Sequence, residues 1–146
     1  MRTIKFRAKD FGGVWYYGSL GYSNIHTKIY FQTGKGSVKS MDWVYVNQET
    51  IGQFTGLYDA HGKEIYEGDI LKWKADNCLY AVIFNWGMFY ASVEVCNQEI
   101  YGGFPLHTLA EGNGKDIEIV GNIYDNPELK KKYKEIIEIK NPNNNE

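Results

Sequence analysis

Short runs with strand-like alternation recur along this chain of 146 residues, and they constrain its fold more than any other feature. IKFRA sets apolar against basic residues with the period of a half-buried strand, and after the turn DFGG the run VWYYGSL follows as its hairpin partner. We therefore predict strands over 3–9 and 14–20. A second hairpin is predicted from KIYFQT (28–33) and MDWVYV (41–46), because the glycines of the intervening GKGS permit a tight reversal.

The second half of the chain continues this pattern. Four runs, EIYEGDILKW, LYAVIFNW, MFYASVEV and DIEIVGNIY, are rich in β-branched and aromatic residues and are separated by turn signals. Several short strands over this length predict a small barrel or sandwich. Gly52 and Gly56 break the pattern in ETIGQFTGLYD, so we place a boundary there, between an N-terminal β-hairpin segment (1–55) and a small β-barrel (56–125).

The C-terminal part of the chain changes to a helical period. Asn126 is a preferred N-cap and Pro127 suits the first helical position, so we predict a helix over 126–140 and a flexible tail over 141–146. The apolar stripe of this helix is formed by Leu129, Tyr133, Ile136 and Ile137. The predicted fold class is therefore mostly β, or α+β at most.

Charge and sorting signals restrict the partners of the protein. A formal net charge of −2 provides no long-range attraction to nucleic acid or anionic lipid, so such a partner would need a local basic patch. Neither a signal peptide nor a membrane-length apolar run is visible, so we expect a cytoplasmic protein with no membrane partner. Cys78 and Cys96 lack a metal-binding or redox spacing and are expected to be buried thiols.

The stretch GLYDAHGKEIYEGDILKW (56–73) carries four carboxylates, a histidine and three glycines. It is interpreted first as a turn. The Asp59 side chain can bind the backbone two residues on, Gly62 can adopt a positive φ, and Gly68 with Asp69 forms a second bend before an apolar strand. All four residues then have a structural role.

A catalytic interpretation of the same stretch requires two converging carboxylates. Glu67 and Asp69 are the pair that could converge, and a small enzyme that uses them is kept as an alternative function. The three histidines are far apart in sequence, and GKGS joins two strands instead of opening a helix. We therefore predict no catalytic residue, no metal site and no cofactor.

Several segments carry a resemblance to a known family. KFRAKD, the element formed by Tyr17, Gly18 and Leu20, IGQFTGLYDAHGKEIYEGDILKW and EIVGNIYDNPEL occur in an order and spacing that resemble the YopX family of bacteriophage and prophage proteins. Lys9 departs from the aromatic residue usual at that position. The resemblance implies a phage-encoded cytoplasmic protein whose C-terminal half is similar to a Src-homology-like small barrel. It implies no reaction, cofactor or catalytic residue, because the family is functionally uncharacterised.

Two surfaces are candidates for binding. Trp15 and Tyr17 share one strand face, and together with the apolar stripe of the C-terminal helix they could form a protein interface or a homo-oligomer contact. The other candidate is a nucleic-acid surface with lysines for phosphate and barrel aromatics for base stacking. Its residues are Lys130, Lys131, Lys132, Lys134, Trp86 and Phe89. We expect a non-enzymatic binding or scaffold module with an unknown protein partner, and nucleic-acid binding is the alternative.

Overall fold

The computed structural model describes residues 1–76, 78–94, 103–112, 114–126 and 128, without the side chains of residues 93 and 94. This part of the chain folds into two antiparallel sheets with one four-residue α-helix and one 3-10 turn. The mostly β prediction is therefore confirmed. The chain divides into two compact units, Met1–Gly56 and Leu57–Glu146.

The first sheet is built largely from the N-terminal part of the chain. Its strand order is β4–β3–β2–β1–β5–β6. The strands are β1 (Phe6–Lys9), β2 (Trp15–Tyr22), β3 (Thr27–Thr33), β4 (Ser40–Tyr45), β5 (Gly52–Tyr58) and β6 (Glu64–Tyr66). The two predicted hairpins are present as the β1–β2 and β3–β4 pairs.

The first hairpin turn illustrates how the sequence sets the local structure. Asp10 N–H donates to Val14 O, and Asp10 Oδ1 accepts from Val14 N–H, each over 2.9 Å. Gly13 has a φ of 87°, the left-handed conformation that a residue with a side chain rarely adopts. DFGG therefore closes β1 onto β2 as the sequence predicts.

One face of the first sheet holds the core of the first unit. Ala8, Ile29 and Val46 are buried there. Partly buried residues pack against them, namely Phe6, Tyr16, Leu20, Phe31, Val44 and Ile51. Because successive side chains of a strand point to opposite faces, the neighbours of these residues along β2, β3 and β4 project from the other face.

Strand β5 was not predicted. We expected Gly52 and Gly56 to interrupt the pattern, but Gln53 lies opposite Phe6 of β1, and Phe54 N–H donates to Lys5 O over 2.8 Å. The interpretation of this segment as a break was wrong because Phe54 is buried in an alternating strand, and the glycines do not prevent pairing.

The second sheet has the strand order β10–β9–β8–β7–β11. Its strands are β7 (Asp69–Trp73), β8 (Leu79–Asn85), β9 (Met88–Glu94), β10 (Gly103–Pro105) and β11 (Ile117–Asn122). Helix α1 (Leu106–Leu109) follows β10 and buries Leu106 and Leu109. This helix was not predicted from the sequence, because four residues are too few to show a helical period.

The core of the second unit is larger than that of the first. Its buried residues include Ile65, Leu71, Tyr80, Val82, Ala91, Leu106, Leu109 and Ile117. The Tyr80 hydroxyl donates to Asp76 Oδ2, and burial together with this bond raises the pKa of Tyr80 above its ordinary value. Cys78 is buried and disulfide-bonded, so the expectation of a free thiol at Cys78 is wrong. Cys96 lies outside the described residues.

Two finer predictions of fold are not confirmed. Within the described residues neither sheet closes on itself, so no barrel is found. The predicted helix over 126–140 lies outside the described residues, apart from Asn126 and the helical Glu128. The predicted tail over 141–146 also lies outside them.

Candidate binding surface

The acidic stretch forms a turn held by Asp59. Its Oδ1 accepts from the backbone N–H groups of His61 and Lys63 over 2.9 Å each, and its Oδ2 accepts from Ile119 N–H over 3.2 Å. The residue is 4% exposed. Asp59 thus fixes the turn and ties it to β11.

The surroundings of Asp59 have opposite effects on its pKa. Burial raises the pKa, but the N–H donors of Lys63, Ile119 and His61 and the charge of His61 lower it, and the net result lies below the ordinary value of 3.8. The His61 ring is exposed and its Nε2 lies 3.4 Å from Glu118 Oε1. The carboxylate of Asp59 is therefore stabilised in its charged form by the fold itself.

The second bend uses Gly68 and Asp69. Gly62 and Gly68 have φ angles of 75° and 87°, the left-handed conformation that the turn interpretation requires. Asp69 is 2% exposed, and its Oδ2 accepts from Tyr66 N–H over 2.8 Å. These bonds give both aspartates a structural role. The alternative enzyme that uses Glu67 with Asp69 stays a prediction.

Only some of the interface residues predicted from the sequence lie within the described part of the chain. Trp15 is half-buried, with the Arg7 guanidinium carbon 4.7 Å and the Lys9 ammonium 5.3 Å from its ring centre. Tyr17 is exposed. The helix positions of both predicted surfaces lie outside the described residues, namely Leu129, Lys130, Lys131, Lys132, Tyr133, Lys134, Ile136 and Ile137.

The two predicted barrel aromatics lie at the tip of the β8–β9 hairpin. Trp86 is 76% exposed and has a φ of 48°, and its ring centre is 5.6 Å from that of Tyr90. Phe89 is half-buried and contacts Phe84 with ring centres 5.2 Å apart. The structure thus places both aromatics in the second unit, Trp86 on the exposed turn and Phe89 within strand β9.

The first unit carries a more extensive aromatic surface that was not predicted from the sequence. In the strand register, Tyr30 lies opposite both Trp43 and Ser19, and Lys28 lies opposite Tyr45, so these side chains share one face of the sheet. Arg7 lies opposite Tyr17 and Lys9 opposite Trp15 on the same face. We call this surface the aromatic–cation face; it consists of Lys9, Trp15, Tyr17, Lys28, Tyr30, Trp43 and Tyr45, together with Arg7, which is buried at 5% exposure.

Aromatic contacts run along one side of the aromatic–cation face. The rings of Trp43 and Tyr45 meet edge to face with centres 4.9 Å apart, and the His26 ring lies 4.8 Å from Tyr45. The Lys28 ammonium lies 3.7 Å from the Trp43 ring centre and 5.0 Å from that of Tyr45. The ammonium is thus within cation–π distance of both rings.

The sheet backbone supports Tyr30 from beneath. A Cβ atom at Gly21 would lie 2.6 Å from Tyr30 Cε2, so the ring lies directly over this glycine. The ring packs on the backbone and still keeps part of its surface in solvent. Together the four exposed rings, Tyr17, Tyr30, Trp43 and Tyr45, are between 37% and 45% exposed.

Charge is divided unequally between the two units. Residues 1–56 contain seven Lys or Arg and three Asp or Glu, a formal charge of +4, whereas residues 57–146 contain nine and fifteen, a charge of −6. None of the residues that alternate onto the aromatic–cation face in β1–β4 is an Asp or Glu. The overall charge of −2 therefore conceals a basic first unit.

A cavity of about 340 Å³ adjoins this face in the first unit. His26 and Tyr45, which end the row of rings, are part of its lining. Its other lining residues are Phe11, Ile25, Thr27, Val46, Asn47 and Gln48. The Gln48 side-chain nitrogen donates to Thr27 Oγ1 over 2.7 Å, which fixes one polar wall.

The described part of the chain offers no cluster of side chains suited to a metal ion. It contains no group of three or more His, Cys, Asp or Glu residues that could hold a metal ion. No helix within it is long and apolar enough to span a membrane.

The sequence matches a protein-family model over most of its length. The family model described as YopX protein matches residues 5–131. The chain belongs to the YopX family. The resemblance drawn from the sequence is thereby confirmed, although family membership assigns no activity.

One solved structure similar to this YopX family member is protein EF1440 from Enterococcus faecalis. The two sequences are 23% identical, the TM-score is 0.56, and the match covers 88% of this chain and 99% of that one. At this identity the similarity shows a shared fold alone. No curated protein matches the sequence.

Proposed function

We propose that this YopX family member is a non-enzymatic binding module, encoded by a phage or prophage, and that the aromatic–cation face is its binding surface. One observation carries the proposal. Four aromatic side chains remain between 37% and 45% exposed on one face of a sheet whose other face holds the core. Tyr and Trp are enriched where proteins bind partners, and contiguous apolar surface is uncommon without such a role.

The chemistry of this face fits binding better than a reaction. Its polar groups are cations held against aromatic rings, as Lys28 is by Trp43 and Tyr45. No Asp or Glu in β1–β4 projects from the face to act beside them as a general base. The aspartates of the acidic stretch are engaged in backbone hydrogen bonds.

We also propose that the second unit is a small Src-homology-like barrel that serves as the scaffold. The strands β7, β8, β9 and β10 form a meander, and β11 returns to pair with β7, the first strand of that meander. This return of the last strand to the first supports the proposal, because closure of a small barrel requires such a connection.

Site-specific crosslinking in infected or induced cells tests the binding role. A photoreactive benzoylphenylalanine replaces Tyr30 or Trp43 in the full chain, and the matched control replaces Phe84, which is exposed in the second unit. We expect adducts from positions 30 and 43 that the control position does not give, whatever the class of partner. Adducts from the control alone, or from no position, would refute the proposed surface.

A further inference from the structure

We propose that the aromatic–cation face binds single-stranded nucleic acid. The inference rests on the proposed function and specifies the partner of the same surface. It differs from the surface predicted from the sequence, which combined lysines of the C-terminal helix with Trp86 and Phe89 of the second unit.

The first argument is the geometry of the rings. Tyr30 and Trp43 lie opposite each other on neighbouring strands about 4.8 Å apart, and the ring centres of Trp43 and Tyr45, two residues apart on one strand, are separated by 4.9 Å. This spacing presents rings in two directions across the sheet, so that several consecutive bases could each meet a ring. Base stacking on aromatic side chains supplies much of the affinity for single strands, and it tolerates any sequence.

The rings are also held in place before any ligand binds. Tyr30 lies over Gly21, and Trp43 contacts both Tyr45 and the Lys28 ammonium. Ordering a mobile side chain on binding costs affinity, and a ring already held by the sheet avoids most of that cost. The face is therefore a prepared stacking platform.

The second argument is charge complementarity. The first unit carries a formal charge of +4, and the aromatic–cation face has no carboxylate among its strand positions in β1–β4. Lys35 and Lys39 are exposed in the connection between β3 and β4, at the end of this face. These lysines can contact phosphates while the rings contact bases.

A single strand fits this face better than a duplex. Sequence reading in a duplex requires a helix or a narrow ribbon that enters a groove, whereas a broad sheet face leaves the paired bases out of reach. Bases of a single strand are free to turn toward the protein and stack. The cavity beside His26 and Tyr45 lies at the end of the row of rings, where a strand continuing past Tyr45 would meet it.

Binding of labelled oligonucleotides to the purified full chain tests the inference. Fluorescence anisotropy is measured with single-stranded dT and rU oligomers of about 16 nucleotides and with a duplex of equal length, over a series of salt concentrations. We expect single strands to bind more tightly than the duplex and binding to weaken as salt rises. No binding of single strands at low salt would overturn the inference.

Substitutions test whether the oligonucleotide contacts the aromatic–cation face. Trp43→Ser is expected to weaken single-strand binding by about 5- to 100-fold, whereas Trp43→Phe keeps a ring and retains most of the affinity. The matched control Trp86→Ser removes an exposed aromatic residue from the second unit and should leave binding unchanged. Equal losses in Trp43→Ser and Trp86→Ser would overturn the assignment to this face.

Separate measurements test the lysine contacts with phosphate and the folding of the variants. The double change Lys35→Gln with Lys39→Gln should lower the salt slope by about 1.4, since each phosphate contact to a single strand contributes about 0.7. Circular dichroism shows whether each variant is folded. If Trp43→Ser is not folded, binding by Trp43→Phe provides a second measurement at the same position. Protein adducts in the crosslinking experiment without any oligonucleotide binding would refute this inference and leave the proposed function standing.

Discussion

The Lys28 ammonium lies 3.7 Å from the centre of the Trp43 ring. The two residues are on adjacent strands but not directly opposite each other, because Lys28 faces Tyr45 and Trp43 faces Tyr30. This diagonal contact lets the apolar stem of the lysine cover part of the indole. The contact holds a positive charge of the aromatic–cation face against one of its rings. The coupling free energy between the two side chains can be measured.

A double-mutant cycle of Lys28→Gln and Trp43→Leu should give a coupling free energy of about 0.5 to 1 kcal/mol, the range for a cation over an aromatic ring near the surface. Urea unfolding of the four proteins measures it. The pair Lys28→Gln with Tyr17→Leu provides the matched control, because Tyr17 is an exposed ring on the same face and, in the strand register, Lys28 lies opposite Gly21, four residues further along β2. A Lys28–Trp43 coupling no larger than the control would contradict the contact.

The Asp59 carboxylate should make the stability of the protein depend on pH in acid. Its folded pKa is below 3.8, so its contribution is fully present above the unfolded value and is lost as the pH falls through the folded value. Asp59→Ala removes an acceptor of three backbone N–H groups and should cost about 1 to 3 kcal/mol at neutral pH. Thermal melting from neutral pH down to acid measures the difference from the wild type, which should shrink in acid. A difference independent of pH would contradict the charged acceptor role.

The two turn glycines should differ in their tolerance of a side chain. A Cβ at Gly62 meets nothing within 4 Å, whereas one at Gly68 would lie 3.0 Å from Tyr124 Cε2. We expect Gly62→Ala to cost about 1 kcal/mol through its positive φ alone, and Gly68→Ala to cost more. Gly62→Asn is the control, because Asn tolerates the left-handed conformation and should be less costly than Ala. Equal melting temperatures for the wild type and both alanine variants would contradict the turn geometry.

The β8–β9 turn contains a bulky residue in a conformation that suits Asn or Gly. Trp86 and Gly87 have φ angles of 48° and 77° between the paired residues Asn85 and Met88, which is the pattern of a tight hairpin turn. Trp86→Asn and Trp86→Ala both remove the ring contact with Tyr90, but Asn suits the backbone better. We expect the Asn variant to be more stable than the Ala variant by about 0.5 to 1 kcal/mol in urea unfolding. The reverse order would show that the turn relaxes to another conformation.

The sequence predicted strands better than it predicted surfaces. Alternation in IKFRA and MDWVYV locates strands because it depends only on local spacing, and the turn glycines locate the hairpins. The aromatic–cation face depends on register across β2, β3 and β4, which brings Ser19, Tyr30 and Trp43 onto neighbouring positions of one face. Periodicity within one strand carries no information about its register against the next strand, which depends on the geometry of the connection between them. The charge of the first unit, by contrast, could have been counted directly from the sequence.

The oligomeric state remains a prediction from the sequence, and it bears directly on the proposed surface. The apolar stripe predicted for the C-terminal helix would offer surface that a second copy could bury without covering the aromatic–cation face, and in a two-fold dimer each anchor counts twice. We therefore expect a homo-oligomer, measured by light scattering across a dilution series. A monomer mass throughout, up to tens of micromolar, would contradict this expectation.

If the oligomer is found, two variants identify its contact. Tyr17→Ser tests the aromatic–cation face, and Ile136→Asp tests the apolar stripe predicted for the C-terminal helix. We expect Ile136→Asp to dissociate the oligomer and Tyr17→Ser to leave it intact, because a face that binds single strands must stay open. Dissociation by Tyr17→Ser instead would mean that a second copy covers this face, and the oligonucleotide measurements should then show competition between self-association and binding.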